Sequence, residues 1–213
     1  MSQYDYKPVY ERNLPHFQPP GACLFVTIRL AGSMPAAVLG QLKQEAEERE
    51  RLIRKTAASA DLHDLLYQEQ KRQFGRFDQI LDKAATGPMW LGQPEIAEIV
   101  AEAMHFRDGK VYDLDAFCIM SNHSHAVFTP LAKEDGTYHA LQKIMHSLKR
   151  HTARAGNKVL GREGAFWQHE SYDHVVRNRR EWERIVAYVL NNPVKAGLVE
   201  KWEDWPWTYL KDT

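Results

Sequence analysis

The sequence predicts an α+β fold with the element order βαββαβ, a ferredoxin-like antiparallel sheet with helices on one face. Apolar residues at helical spacing separate the first strand-like run from the second, and the third from the fourth. Only a tight turn at Ser121-Asn122 separates the second run from the third, which predicts a hairpin. The runs, each rich in β-branched and aromatic residues, lie at 22–30, 111–119, 123–129 and 172–176.

The first crossover is much longer than a single helix requires. A polar, proline-containing arm at residues 1–21 precedes the first strand, and Ser33 with Pro35 then marks a helix start. Residues 44–90 are strongly charged, and we interpret them as a helical insertion within one domain that spans 1–213. Because a charge run of this kind is usually a solvated face, we assign no chemistry to it.

The second half of the chain contains three further predicted helices. Pro94 opens the first, which carries an apolar stripe, and a second helix is expected at about 138–155. Asn178 and Glu181 have the spacing of a capping box, which predicts the start of a last helix. Residues 178–213 are therefore treated as a C-terminal helix and tail.

Composition indicates an ordinary globular protein, with 44% hydrophobic and 26% charged residues and a formal net charge of zero. A nucleic-acid partner would therefore have to bind a local basic patch. No apolar run approaches the roughly 18 residues of a membrane span and the N-terminus is polar, so we expect a cytoplasmic protein. Cys23 and Cys118 lie in apolar runs, which favours buried thiols over a disulfide.

Two histidines in the third predicted strand form a candidate metal site. His123 and His125 project from the same face because side chains alternate along a strand, and their Cα atoms are roughly 6.6 Å apart. That spacing allows both imidazoles to bind one ion, while Ser124, Ala126 and Phe128 would face a core. Such a pair is also common by chance, and surface or hydrogen-bonded histidines are the alternative.

A local basic patch lies on the helix that follows the hairpin. Between Gln142 and Arg162 the chain has six lysines or arginines and no acidic residue. Contact with phosphate is one interpretation of this patch, and a solvated basic helix end is the other.

Tyr188 and Asn192 are four residues apart on the last predicted helix and therefore share a face. Taken alone, this pair is more simply explained as a half-buried tyrosine whose hydroxyl reaches water, with an asparagine capping the helix end.

Several segments together resemble the single-tyrosine HUH transposases, in particular the REP-associated tyrosine transposases. The combination is specific although no single segment is, and it covers most of the chain outside 31–90. Two positions depart from the family's usual M-P-N-H-V-H, where this chain has Ser121 for the proline and Ser124 for the middle apolar residue. The resembling segments are 14–30, 106–125, 166–177 and 188–199, and the tail W-E-D-W-P-W-T-Y also fits.

The resemblance implies an HUH endonuclease fold, in which a ferredoxin-like sheet carries the histidine pair and a C-terminal helix carries the tyrosine. It implies an enzyme that cleaves and rejoins single-stranded DNA near palindromic hairpins. The nucleophile would be Tyr188, which forms a 5′-phosphotyrosine, and the implied family type is a monomer. The metal, Mg²⁺ or Mn²⁺, would be bound by His123, His125 and Asn192. Candidate DNA-binding residues are Lys149, Arg150, Arg154, Arg177, Arg179 and Arg180.

Three alternatives stay open at this point. Tyr172, in the fourth predicted strand, is a rival nucleophile. The chain could instead be a non-catalytic module that binds nucleic-acid hairpins and regulates them. It could also be a metal-dependent phosphodiesterase that uses water as its nucleophile.

Overall fold

The structure is a computed structural model that describes residues 9–11, 15–17, 19–83 and 86–212. Much of the arm predicted at 1–21 lies outside the described residues. The chain divides into two compact units, Met1–Ala31 with Met89–Thr213 and, separately, Gly32–Pro88. The single domain across 1–213, with its insertion at 44–90 and its C-terminal part at 178–213, stays a prediction.

A five-stranded antiparallel sheet forms the centre of the larger unit, with strand order β6-β3-β5-β4-β7. The order β6-β3-β5-β4, with helices in both crossovers, is the ferredoxin-like arrangement, so the predicted fold is confirmed. A separate two-stranded ribbon is formed by β1 and β2. The strands are β1 (Val9–Glu11), β2 (Pro15–Phe17), β3 (Leu24–Arg29), β4 (Tyr112–Ile119), β5 (His123–Pro130), β6 (Tyr172–Val175) and β7 (Thr208–Leu210).

Helices cover both faces of this sheet. Helices α3 (Pro94–Arg107) and α4 (Leu141–Val159) contribute to the main apolar core on one face. Helix α5 (Arg179–Leu190) contacts β4 and β5, and the short α6 (Asn192–Lys195) follows it. The strand residues of the main core alternate along β3 and β5, and along β4 on either side of the register shift between Leu114 and Ala116, as expected for a sheet with one face turned to α3 and α4. They include Leu24, Val26, Ile28, Leu114, Phe117, Ile119, Ala126 and Phe128.

The sheet has one strand more than predicted. The tryptophan-rich tail forms β7, which pairs with β4 at the edge of the sheet. The indole of Trp205 donates to the carbonyl of Ile119 at 2.9 Å and holds the tail against the strand end. A three-residue strand has too few positions to show an alternating pattern, so sequence periodicity could not predict it.

The smaller unit is a helical hairpin of α1 (Ala36–Thr56) and α2 (Leu62–Asp82), which pack against each other. None of the residues of α1 is buried, in agreement with a solvated charged face. An ion pair between Glu45 and Arg76 joins the two helices. Gly87 has φ +85°, and a Cβ there would clash with the carbonyl oxygen of Gly32, so only glycine fits.

No helix in the described ranges is both long enough and apolar enough to cross a membrane.

Candidate metal and nucleophile site

The histidine pair lies on the sheet face opposite the main core. His123 and His125 alternate along β5 with the core residues Ala126 and Phe128, and both imidazoles are buried. Their Nε2 atoms are 3.1 Å apart, and the rings meet edge to face with centroids 4.7 Å apart. The strand therefore brings two nitrogen atoms to one point, as its alternation requires.

The outer nitrogen of each ring has a partner. Nδ1 of His123 lies 2.6 Å from Oδ1 of Asn122, and Nδ1 of His125 lies 2.8 Å from Oγ1 of Thr27, its register partner on β3. With Oδ1 of Asn122 as the acceptor, Nδ1 of His123 is the donor and carries the proton. With the same tautomer at His125, both Nε2 atoms present lone pairs to the shared point. Partners of this kind commonly orient metal-binding histidines.

Both rings are held neutral. Burial lowers the pKa of His123 to about 3, and the positive charge of Lys195 acts in the same direction. Burial also lowers the pKa of His125 well below its usual value, with contributions from His123 and Lys195. A neutral imidazole is the form that binds metals. Two nitrogens 3.1 Å apart and each about 2.1 Å from an ion would subtend about 95° at it, so the pair fits one ion.

Acid should destabilise the fold because these two rings stay neutral. Between the ordinary histidine pKa of about 6.5 and the native value, the unfolded chain binds more protons than the native chain, so stability rises with pH. We expect the free energy of unfolding to fall by about 1–3 kcal/mol per pH unit below pH 6. Urea unfolding in EDTA at pH 7, 6 and 5 measures this. Equal unfolding midpoints at all three pH values would contradict neutral burial of His123 and His125.

Asn192 supplies the third polar group of the site. It is buried, and its Nδ2 lies 3.3 Å from Nε2 of His125. Its Oδ1 has no hydrogen-bond partner among the described residues. An amide that turns by half a rotation exchanges these two atoms, so the oxygen can take the position next to His125. The orphaned carbonyl oxygen and the two imidazoles make a donor set that fits a divalent cation.

Replacing Asn192 should separate stability from metal binding. A buried carbonyl without a partner costs about 1–3 kcal/mol, so Asn192→Leu in EDTA should unfold at the same temperature as wild type or higher. Wild type should gain about 1.4 kcal/mol with 10 mM Mn²⁺ if the dissociation constant is near 1 mM, and the variant should gain nothing. Thermal unfolding with Mn²⁺ and with EDTA measures both. Equal Mn²⁺ stabilisation of the two proteins would exclude Asn192 as a ligand.

Tyr188 and Asn192 do not share one continuous helix, which corrects the sequence-based prediction. Helix α5 ends at Leu190, and α6 begins at Asn192 with Pro193 in its first turn. Proline lacks a backbone N–H and cannot continue the hydrogen bonding of α5 at that position. Asn192, the first residue of α6, is nevertheless buried within hydrogen-bond distance of His125.

The Tyr188 side chain lies beside the histidine pair. Its half-buried ring is 5.6 Å from the ring of His125, centroid to centroid, and 6.2 Å from that of Phe25. The rival Tyr172 lies on β6, which β3 separates from β5. Its ring packs edge-on against Phe25 at 6.3 Å. The structure therefore brings Tyr188 into direct contact with the His125 ring.

Two hydrogen bonds cap the start of α5, and a third joins the helix to the sheet. Oδ1 of Asn178 accepts from the N–H of Glu181 at 2.9 Å, and the Glu181 carboxylate accepts from the N–H of Arg177 at 2.9 Å. The capping-box start is therefore confirmed. The indole of Trp182 donates to Asp115 at 3.0 Å, where β4 has an irregular register. Sequence reasoning missed the Trp182–Asp115 contact, since no local pattern signals it.

The six DNA-binding candidates fall into two groups on opposite faces of the sheet. Arg150 and Arg154 are exposed on α4, on the side of the main core, whereas Arg177, Arg179 and Arg180 surround the exposed start of α5. Lys149 differs from the others because its ammonium donates to three backbone carbonyls of the loop before β6. These belong to Gln168, His169 and Glu170, at 2.9, 3.1 and 3.3 Å.

The chain is similar in sequence to two curated proteins of the same kind. It is 28% identical over 102 residues to the REP-associated tyrosine transposase of Escherichia coli (strain K12), covering 47% of this chain and 56% of the relative. It is 26% identical over 103 residues to a Haemophilus influenzae (strain Rd) protein that carries the same name as a provisional assignment, covering 46% and 58%. The chain thus spans a little over half the length of the curated relatives it matches. No protein-family model matches it.

One solved structure, of a REP-associated tyrosine transposase bound to a REP hairpin, aligns with a TM-score of 0.47 and 16% identity. The alignment covers 93% of this chain and 80% of that one. The resemblance indicated by the motifs is confirmed by the curated relatives. Over just under half of its length, the chain is similar in sequence to REP-associated tyrosine transposases.

Proposed function

We propose that the chain is a metal-dependent endonuclease and transposase that cleaves and rejoins single-stranded DNA near palindromic hairpins through a 5′-phosphotyrosine on Tyr188. The observation that carries the proposal is the Tyr188 ring next to His125, whose Nε2 lies 3.1 Å from that of His123. A tyrosine beside two neutral imidazoles that could hold a divalent cation is an arrangement suited to transfer of a phosphoryl group to the tyrosine oxygen. The similarity to named tyrosine transposases supports it.

In the proposed reaction, the hydroxyl oxygen of Tyr188 attacks the scissile phosphorus. The tyrosine hydroxyl gives up its proton to solvent, and the bond between tyrosine oxygen and phosphorus forms as the bond to the 3′-oxygen breaks. The 3′-oxygen takes up one proton from solvent and leaves as a 3′-hydroxyl. Mg²⁺ or Mn²⁺, held by His123, His125 and Asn192, would polarise the phosphate and stabilise its developing charge. The phosphotyrosine conserves the energy of the broken bond, so a 3′-hydroxyl can attack it and rejoin the strand.

The positions of the positive residues suggest how the DNA lies. Arg180 precedes Tyr188 by eight residues on α5, or about 12 Å along the helix axis, so the cations at its start would contact phosphates near the cleaved one. Arg150 and Arg154 on the other face would contact a separate part of the hairpin. Because Lys149 already donates to three carbonyls, we propose that it also shapes the loop that borders this second surface.

The residues of the proposed site all come from one chain, which is consistent with a monomeric enzyme. His123 and His125 lie on β5, Tyr188 on α5 and Asn192 on α6.

A covalent-adduct assay tests the reaction. Hairpin DNA with a single-stranded flank would be labelled at the 3′ end in one sample and at the 5′ end in another, then incubated with protein and Mn²⁺ or EDTA. Attack that leaves a 5′-phosphotyrosine predicts a Mn²⁺-dependent protein adduct carrying the 3′ label. The 5′ label should appear only on a shortened free strand.

The same gel distinguishes the other two functions. Tight binding of the hairpin with neither adduct nor shortened strand would favour a non-catalytic hairpin-binding regulator. A shortened strand that accumulates without any adduct, with repeated turnover, would favour a metal-dependent phosphodiesterase that uses water.

A further inference from the structure

Lys195 places a positive charge at the edge of the candidate site. It is the last residue of α6, and its Nζ lies 5.5 Å from the centre of the Tyr188 ring, within the range of a cation–π contact. Its charge also contributes to the lowered pKa values of both His123 and His125. One ammonium is thus close to the tyrosine and to the histidine pair together.

The break between α5 and α6 determines where this charge lies. Asn192 and Lys195 are three residues apart on α6, a spacing that puts two side chains on the same side of a helix. Asn192 reaches the buried Nε2 of His125, whereas Lys195 is exposed and contacts the half-buried ring of Tyr188. The same short helix therefore supplies a polar group inside the site and a cation at its entrance.

We propose that Lys195 is a catalytic residue whose ammonium donates a hydrogen bond to a non-bridging oxygen of the scissile phosphate while Tyr188 attacks it. This inference rests on the proposed endonuclease function. A phosphodiester carries one negative charge, and an attacking tyrosine oxygen adds more to the transition state. A fixed ammonium lowers the energy of that state. Lys195 keeps its proton throughout, so the bond changes remain those between the phosphorus, the tyrosine oxygen and the 3′-oxygen.

The alternative is a structural role, in which Lys195 only packs against the Tyr188 ring and orients it. The two roles differ in their dependence on the charge of the phosphate. A catalytic contact to a non-bridging oxygen loses its value when a methyl group replaces that oxygen, because a methylphosphonate is neutral. A contact that only orients the ring has the same effect on binding with either DNA. A double-mutant cycle that combines the Lys195 substitution with the methylphosphonate therefore distinguishes the two roles.

The experiment first maps the cleavage site with wild-type protein. Single-turnover cleavage of ordinary DNA by Lys195→Met should then be about 10²-fold slower than by wild type, which is the usual effect of removing one donor to a developing oxyanion. Lys195→Arg should recover part of the rate. Lys201→Met, an exposed lysine in the following tail, is the matched control and should cleave at the wild-type rate.

Binding provides a readout that does not need the reaction. In a Tyr188→Phe background, which keeps the aromatic ring, Lys195→Met should weaken binding of ordinary DNA about tenfold by fluorescence anisotropy. On DNA with a methylphosphonate at the mapped cleavage position, the Tyr188→Phe protein should bind equally well with and without Lys195→Met. Equal losses on both DNAs, or no loss of cleavage on ordinary DNA, would overturn the catalytic role. Absence of any wild-type adduct would instead overturn the proposed function itself.

Discussion

Tyr188→Phe should abolish the covalent adduct and strand cleavage while leaving hairpin binding intact. The substitution removes only the hydroxyl oxygen, and the ring contacts with His125 and Phe25 remain. Removing a covalent nucleophile typically costs at least about 10⁴-fold in rate, so no adduct should be visible on a denaturing gel. Fluorescence anisotropy with the same hairpin should give a dissociation constant within about threefold of wild type, since no phosphate contact is deleted.

Tyr172→Phe is the matched control, because this second tyrosine also packs against Phe25. It should form the adduct at the wild-type rate. The opposite pattern, with an adduct in Tyr188→Phe and none in Tyr172→Phe, would transfer the nucleophile to β6. Unchanged adduct formation in both single variants would show that neither tyrosine is required.

His125→Ala should eliminate metal-dependent cleavage, with a loss of at least about 10³-fold. His125 is central to the site because it contacts four of its groups: His123, Thr27, Asn192 and the Tyr188 ring. Its loss leaves one imidazole and one amide, too few protein ligands to hold a divalent ion. The gain in thermal stability with 10 mM Mn²⁺ should disappear with the activity, which separates metal loss from a change in DNA binding.

His151→Ala provides the control for removal of an imidazole. His151 is exposed on α4, on the other face of the sheet, so the variant should keep both cleavage and the Mn²⁺ shift. Should His125→Ala retain Mn²⁺ stabilisation and cleavage, the histidine pair would not be the metal site. Loss of folding in His125→Ala would show in its far-UV circular dichroism, and Thr27→Val, which removes only the outer partner, would then give a milder test.

Sequence patterns correctly predicted those features of the fold and the site that depend on interactions between residues close together in the chain. Alternation along β5 put His123 and His125 on one face, and the helix start at Asn178 followed from the spacing of Asn178 and Glu181. The need of buried Ser124 for a partner was also foreseeable, and its hydroxyl donates to the carbonyl of Cys118 at 3.1 Å. These features depend on residues within a few positions of one another, where backbone geometry decides the outcome.

Sequence reasoning failed where a contact depends on chain segments far apart. Strand β7 exists only because β4 offers it an unpaired edge. The partnership of Thr27 with His125 depends on the register between β3 and β5, and no local pattern reveals that register. The end of α5 before Asn192 is the exception, because the signal that was missed there, Pro193, is a local one.

The sequence by itself determined the ferredoxin-like order of elements, the shared face of the histidine pair and the similarity to tyrosine transposases, because periodicity and motifs are properties of neighbouring residues. Only the tertiary structure decided that Asn192 reaches His125 across 67 residues, that Tyr188 lies beside the same ring, and that Lys195 joins them. These three contacts follow from how α5 and α6 pack on the sheet face opposite α3 and α4. Burial and long-range contacts fix that packing, and no single segment encodes it.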